Sequence, residues 1–155
     1  FSLVTGFGLY LLNLGMKDIA DDFGSTSAGN RAAYYAGTIL LKKGEFQEAL
    51  DYLDDVTMDD EIMAAQVTTL KGDCYSEMEQ YEKAGDMYMK AANMRDNMIT
   101  TPYALIKAGI AYEEAGAFDD AKSAYEELQS NYTASRFANK VETRIARVEA
   151  KLSAE

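Results

Sequence analysis

The sequence predicts an all-α fold, a solenoid of stacked antiparallel helix pairs with an extra N-terminal helix and a C-terminal capping helix. One observation is compositional: a single Pro, no Trp, 11 Tyr and 8 Met among 155 residues suit long helices packed by aromatic and adaptable side chains. The other is self-similarity. Gly37, Gly72 and Gly109 lie 35 and 37 residues apart. Three residues after each stands Leu40, Tyr75 or Tyr112, and nine after each stands Phe46, Tyr81 or Phe118. Twelve after comes Ala49, Ala84 or Ala121, and sixteen after comes Leu53, Tyr88 or Tyr125. A helix pair that leaves one apolar face unburied must stack on copies of itself, and such a spacing is its signature.

The elements follow in order. Phe1 to Met16 is apolar but broken by Thr5, Gly6, Gly8 and Asn13, and is shorter than the roughly 18 residues of a bilayer span; it reads as a core-facing helix within an N-terminal half repeat, residues 1–29. Ala33 to Lys43 has helical periodicity, Lys43-Gly44-Glu45 is a turn, and Phe46 to Val56 is helical again, giving the first copy, residues 30–58. The second copy, residues 59–99, opens on Asp59-Asp60-Glu61, acceptors suited to the positive end of a helix. Its turn has Glu79 where the other copies have glycine. Arg95 to Thr100 is a loop, and Thr101-Pro102 places a cap before a first-turn proline for the third copy, residues 100–133. In residues 134–155, Phe137, Val141, Ile145, Val148 and Leu152 recur every three or four residues between basic side chains, an amphipathic cap. One repeat domain spanning 1–155 is expected.

Composition narrows function. Fifteen Lys and Arg against 26 Asp and Glu leave a net charge of −11, the wrong sign for nucleic acid or an anionic membrane. The chain has no His, which removes imidazole bases, shuttles and metal ligands. One Cys excludes an internal disulfide. Asp51, Asp54, Asp55, Asp59, Asp60 and Glu61 lack a calcium-loop pattern and read as helix-end and solvated carboxylates. Cys74 has no activating neighbours in the sequence and reads as a buried small hydrophobe. Gly6-Phe7-Gly8 is too short for a dinucleotide loop. Met87, Met89, Met94 and Met98 read as core filler, and Asn131-Tyr132-Thr133 matches a glycosylation triplet that carries little information. With no convergent acid, base, nucleophile, metal set or cofactor loop, an enzyme is not expected.

Gly37-Thr38-Ile39-Leu40 with Gly44-Glu45-Phe46-Gln47-Glu48-Ala49-Leu50, and Gly109-Ile110-Ala111-Tyr112 with Gly116-Ala117-Phe118-Asp119-Asp120-Ala121, resemble the tetratricopeptide repeat. The resemblance covers Asn30 to Asn131 and implies a right-handed superhelix whose first helices line a concave, protein-binding groove. By that register the groove candidates are Arg31, Tyr34, Tyr35 and Thr38 in the first copy. Gln66, Thr69 and Asp73 follow in the second, and Tyr103, Ile106, Lys107 and Ile110 in the third. Of the Lys/Asn/Arg clamp with which some such domains hold a C-terminal carboxylate, only Lys107 falls in place, so a chaperone-tail clamp is not expected. Tyr34, Tyr103 and Lys107 are expected on one surface, the rings against an apolar side chain and Lys107 against a carboxylate.

A narrower likeness rests on Ala20-Asp21-Asp22-Phe23-Gly24-Ser25-Thr26, Arg31 to Gly37, Lys71-Gly72-Asp73 and Thr101-Pro102-Tyr103. These are similar to bacterial YfgM-like periplasmic tetratricopeptide proteins. The likeness implies an inner-membrane anchor upstream of Phe1, a periplasmic location, and translocon or chaperone components as partners, with a cytoplasmic protein as the alternative. A structural module acting through oligomer contacts of its edges is the alternative to a binding scaffold.

Overall fold

The computed structural model describes residues 2–154, with side chains from Leu11 onward. Among the described residues there are eight helices and no strand. The chain divides into two compact units between Met58 and Asp59, the point at which the spacing separates the first copy from the second.

The first unit holds α1 (Ser2–Phe23), α2 (Ser27–Lys43) and α3 (Phe46–Asp54). Thr26 caps α2, its hydroxyl accepting from the Gly29 N–H at 3.1 Å. Gly29 is needed there because a Cβ would stand 1.9 Å from the Phe23 carbonyl oxygen, where α1 hands over to α2. The core is small and aliphatic: Ala33, Ala36, Leu40, Ala49, Leu50 and Leu53 are buried. The side chains of residues 1–7, 9 and 10 lie outside the described residues, so the expected inward face of α1 is readable only further along. There it is corrected. Asn13 and Ala20 are buried, but Leu11, Leu12, Leu14, Ile19 and Phe23 are exposed, because the face α1 turns inward is set by the short side chains a close helix approach needs.

The second unit holds α4 (Glu61–Glu77), α5 (Tyr81–Met94), α6 (Thr100–Ala115), α7 (Phe118–Asn131) and α8 (Ala138–Leu152). Each helix packs on the next in chain order from α4 to α6 and from α6 to α8. The core runs from Ala84 and Tyr88 through Leu105, Tyr112 and Tyr125 to Leu128, Val141 and Val148. Val141 and Val148 show that the cap buries the expected stripe, with Phe137, Ile145 and Leu152 partly covered beside it.

The glycine marks have a steric cause. A Cβ on Gly37 would meet Leu53 Cγ at 2.6 Å; on Gly72 it would meet Tyr88 Cε1 at 2.5 Å, and on Gly109 Tyr125 Cε1 at 2.2 Å. The residue sixteen places on thus packs into the space glycine leaves, and closes each helix pair. All three turns end the first helix the same way. The N–H groups of Gly44, Glu79 and Gly116 donate to Leu41, Ser76 and Glu113, and those of Glu45, Gln80 and Ala117 donate to Leu40, Tyr75 and Tyr112. This paired closure requires a left-handed residue. Gly44 and Gly116 adopt φ of 84° and 77° without strain, whereas Glu79 is forced to 59°.

One cap differs from expectation. Asp60 caps α4 as expected, accepting from Met63 N–H at 2.9 Å. Thr101 does not cap α6, which begins at Thr100. Asn97 does so instead: its Oδ1 accepts from the N–H groups of Ile99 and Thr100 at 2.9 and 2.8 Å. Thr101 Oγ1 accepts from Asn97 N–H at 3.0 Å and braces the loop. The amide side chain reaches two N–H groups at once, so it takes the capping role from a threonine that is already the second residue of the helix.

Candidate functional site

On the second unit, α4 and α6 bring three of the proposed groove residues together. Lys107 Nζ lies 2.7 Å from Asp73 Oδ1. The same ammonium stands 5.1 Å from the ring centre of Tyr88 and 5.3 Å from that of Tyr103, within the range of cation–π attraction. The Tyr88 hydroxyl donates to Asp73 Oδ1 at 2.7 Å. Asp73 therefore accepts from a buried phenol and pairs with a half-buried ammonium. Burial alone would lower the Lys107 pKa, but its bond to Asp73 and that carboxylate's charge outweigh it and hold the ammonium above its ordinary range. Burial first, then the Asp73 charge, pushes the Tyr88 phenol up, so it stays protonated and donating.

The expected role of Lys107 changes accordingly: the carboxylate it meets is the chain's own Asp73, and its charge is already matched. Tyr103 remains available, 41% exposed. Ile106 is another correction. It is 7% exposed and part of the core, since it falls on the side of α6 that faces its neighbours. Ile110 is half-buried and shares a recess of about 180 Å³ with Lys107, Tyr88 and Glu114. Gln66 is exposed on α4, and Thr69 is half-buried, its hydroxyl donating to the Ala65 carbonyl at 2.9 Å.

In the first unit the four candidates all lie on α2. The Tyr34 and Tyr35 rings meet edge to face at 5.4 Å, with Tyr35 the more exposed. Arg31 donates to Ser27 Oγ at 2.8 Å, and Thr38 donates to the Tyr34 carbonyl at 2.8 Å. These are contacts within one helix. Tyr52, on α3 of the same unit, faces Asp21 at 3.2 Å, and burial together with that carboxylate pushes its hydroxyl up to about 12.

A second polar constellation was not legible in the sequence. Glu113 Oε2 accepts from the Tyr125 hydroxyl at 2.6 Å and from Arg144 at 2.9 Å, while Arg147 Nε donates to Oε1 at 2.8 Å. The Glu113 side chain is only 10% exposed. Burial would raise its pKa, but the bonds from Tyr125, Arg147 and Arg144 outweigh that and hold it ionised below its ordinary range. This ties α6 and α7 to the cap and leaves no group poised for chemistry. The Met group also divides: Met89 packs against the core, but Met98 stands 55% exposed because it lies in the loop before α6 and outside any helix.

Residues 65–98 and 103–135 match the tetratricopeptide repeat family. The second unit thus carries two segments similar to the tetratricopeptide repeat. No curated protein matches the chain. The matched tetratricopeptide segments are the helix pairs α4–α5 and α6–α7, and α2–α3 shares their glycine contact and their turn bonds. Repeats of this kind generally mediate protein–protein interaction and are generally not catalytic. Among the described residues no helix is long and apolar enough to cross a membrane.

Proposed function

We propose that the protein is a non-catalytic docking scaffold that holds a segment of a partner protein against the first helices of its repeats. The observation that carries this reading is the α4–α6 surface. Its exposed aromatic, Tyr103, sits beside a lysine that Asp73 and two rings hold in place. A large amphipathic ring held in place before binding loses little entropy on binding, which is the character of an interface anchor. The test is photocrosslinking in the native cell, with a photoreactive phenylalanine at position 103 or, as control, at 52. Adducts of defined mass from position 103 and none from 52 are expected. The reverse pattern would overturn this surface as the docking site.

The place of action we propose is the periplasmic side of a bacterial inner membrane, through an anchor encoded before Phe1, among translocon or chaperone components. Support comes from the likeness of residues 16–37 to YfgM-like proteins. The gene sequence decides: a frame opening at or just before Phe1 would favour a cytoplasmic protein. A reading as an assembly module is favoured by one observation, the exposed row Leu12, Ile19 and Phe23 on one side of α1. Light scattering distinguishes it, since a monomer at high concentration is expected of the scaffold.

A further inference from the structure

One cleft of the second unit lies at the loop edge of the repeats, between the segment leading into α6 and the segment leading into α8. It measures about 720 Å³, enough for one or two large side chains. It is lined by Met98, Ile99, Pro102 and Tyr103 from the first segment and by Arg136 and Phe137 from the second. Ile99 is 81% exposed, more than any other large apolar side chain described. An apolar cluster left in water in an ordered loop marks a contact surface.

The cleft is built. Asn97 and Thr101 brace the loop that presents Met98 and Ile99. The Tyr103 and Phe137 rings pack together, tilted, with their centres 6.0 Å apart. Arg136 stacks on Phe137, its guanidinium carbon 4.7 Å from the ring centre. Among the described residues it has no carboxylate partner, and no acidic side chain lines the cleft, in a chain of net charge −11. A lone cation on an apolar rim, in an otherwise acidic protein, selects the charge of what binds there.

We propose that this cleft is a second docking site, which adjoins the α4–α6 surface and shares Tyr103 with it. It takes a short segment of a partner protein in which a leucine or aromatic side chain stands beside a carboxylate. The apolar side chain enters between Ile99 and Phe137, and the carboxylate pairs with Arg136 in the bidentate geometry a guanidinium favours. This rests on the docking-scaffold reading and adds the chemistry of the partner.

The experiment is selection of a random peptide display library on the immobilised protein, run in parallel on Arg136→Glu, Ile99→Ser and Gln66→Arg, each checked for parental helicity. The parent is expected to enrich sequences pairing Leu, Phe or Trp with Asp or Glu. On Arg136→Glu the acidic preference should be lost or replaced by a basic one. Ile99→Ser should weaken the selected peptides about tenfold or more, and Gln66→Arg should change little. Failure to enrich any sequence, or one consensus shared by the parent and Arg136→Glu, would overturn the proposal. Peptides sensitive to Gln66→Arg alone would overturn it while leaving the scaffold reading intact. A consensus matching this chain's own acidic segments, with dimers in sedimentation, would make the occupant a second copy and overturn the partner assignment.

Discussion

The first and third helix pairs close on the same glycine with different chemistry. At Gly37 the covering residue is Leu53, and nothing polar reaches beyond it. At Gly109 it is Tyr125, whose ring fills the same space and whose hydroxyl continues to Glu113, and through Glu113 to Arg144 and Arg147. The second pair follows the third, with Tyr88 reaching Asp73 and so Lys107. Packing at the glycine makes the repeat; the phenol tip turns that packing into a fixed polar network. Where leucine replaces the phenol, the repeat persists and the network does not.

The widest separation between the two pairs is expected from the glycines themselves. Gly109→Ala drives a methyl into a rigid, fully buried ring, and should cost about 2 kcal/mol even after the gain in helix propensity. Gly37→Ala meets a leucine that has rotamers to move into, and should cost less than about 1 kcal/mol. Thermal denaturation of both variants measures the gap, and equal costs would show that the ring is not the constraint.

A smaller effect is expected at the network. Because the Glu113 pKa is depressed on folding, its contribution is complete above the ordinary carboxylate value of 4.5 and is lost as pH falls through the lower folded value. Glu113→Gln should therefore be less stable than the parent by about 1.5 kcal/mol at neutral pH. The two should converge only as pH falls below the depressed folded value of Glu113. Urea titrations at several pH values test this, and a gap independent of pH would show that charge plays no part.

The smallest effect should be a gain. Glu79 holds the left-handed conformation that Gly44 and Gly116 take without strain, so Glu79→Gly should stabilise by about 0.5 kcal/mol, the backbone strain relieved less the added flexibility of the unfolded chain. A lower melting temperature would mean that the Glu79 side chain contributes more than its backbone costs.

The helix pairs were legible because each glycine and its covering residue meet inside one copy, at a fixed offset that a single sequence displays. The site was legible only in part. Tyr103 and Lys107 lie one turn apart on α6, as their spacing implied, but the pairing of Lys107 with Asp73 joins residues of two copies, and no local pattern records such a distance. Asn97 was missed as a cap because it lies three residues before the helix it serves. Met98 was read as core filler because its spacing from the other methionines suits a helix, but it lies in the loop before α6 and stands exposed beside Ile99.

Cys74, the chain's one cysteine, is wholly buried within α4. A thiol reagent can reach it only in the moments when α4 loosens from its neighbours. The rate of labelling is thus a clock for opening at one known place, readable without introducing any probe. If that clock runs faster than global unfolding, the second copy breathes independently of the rest. The protein carries the means of measuring its own local motion in its native sequence.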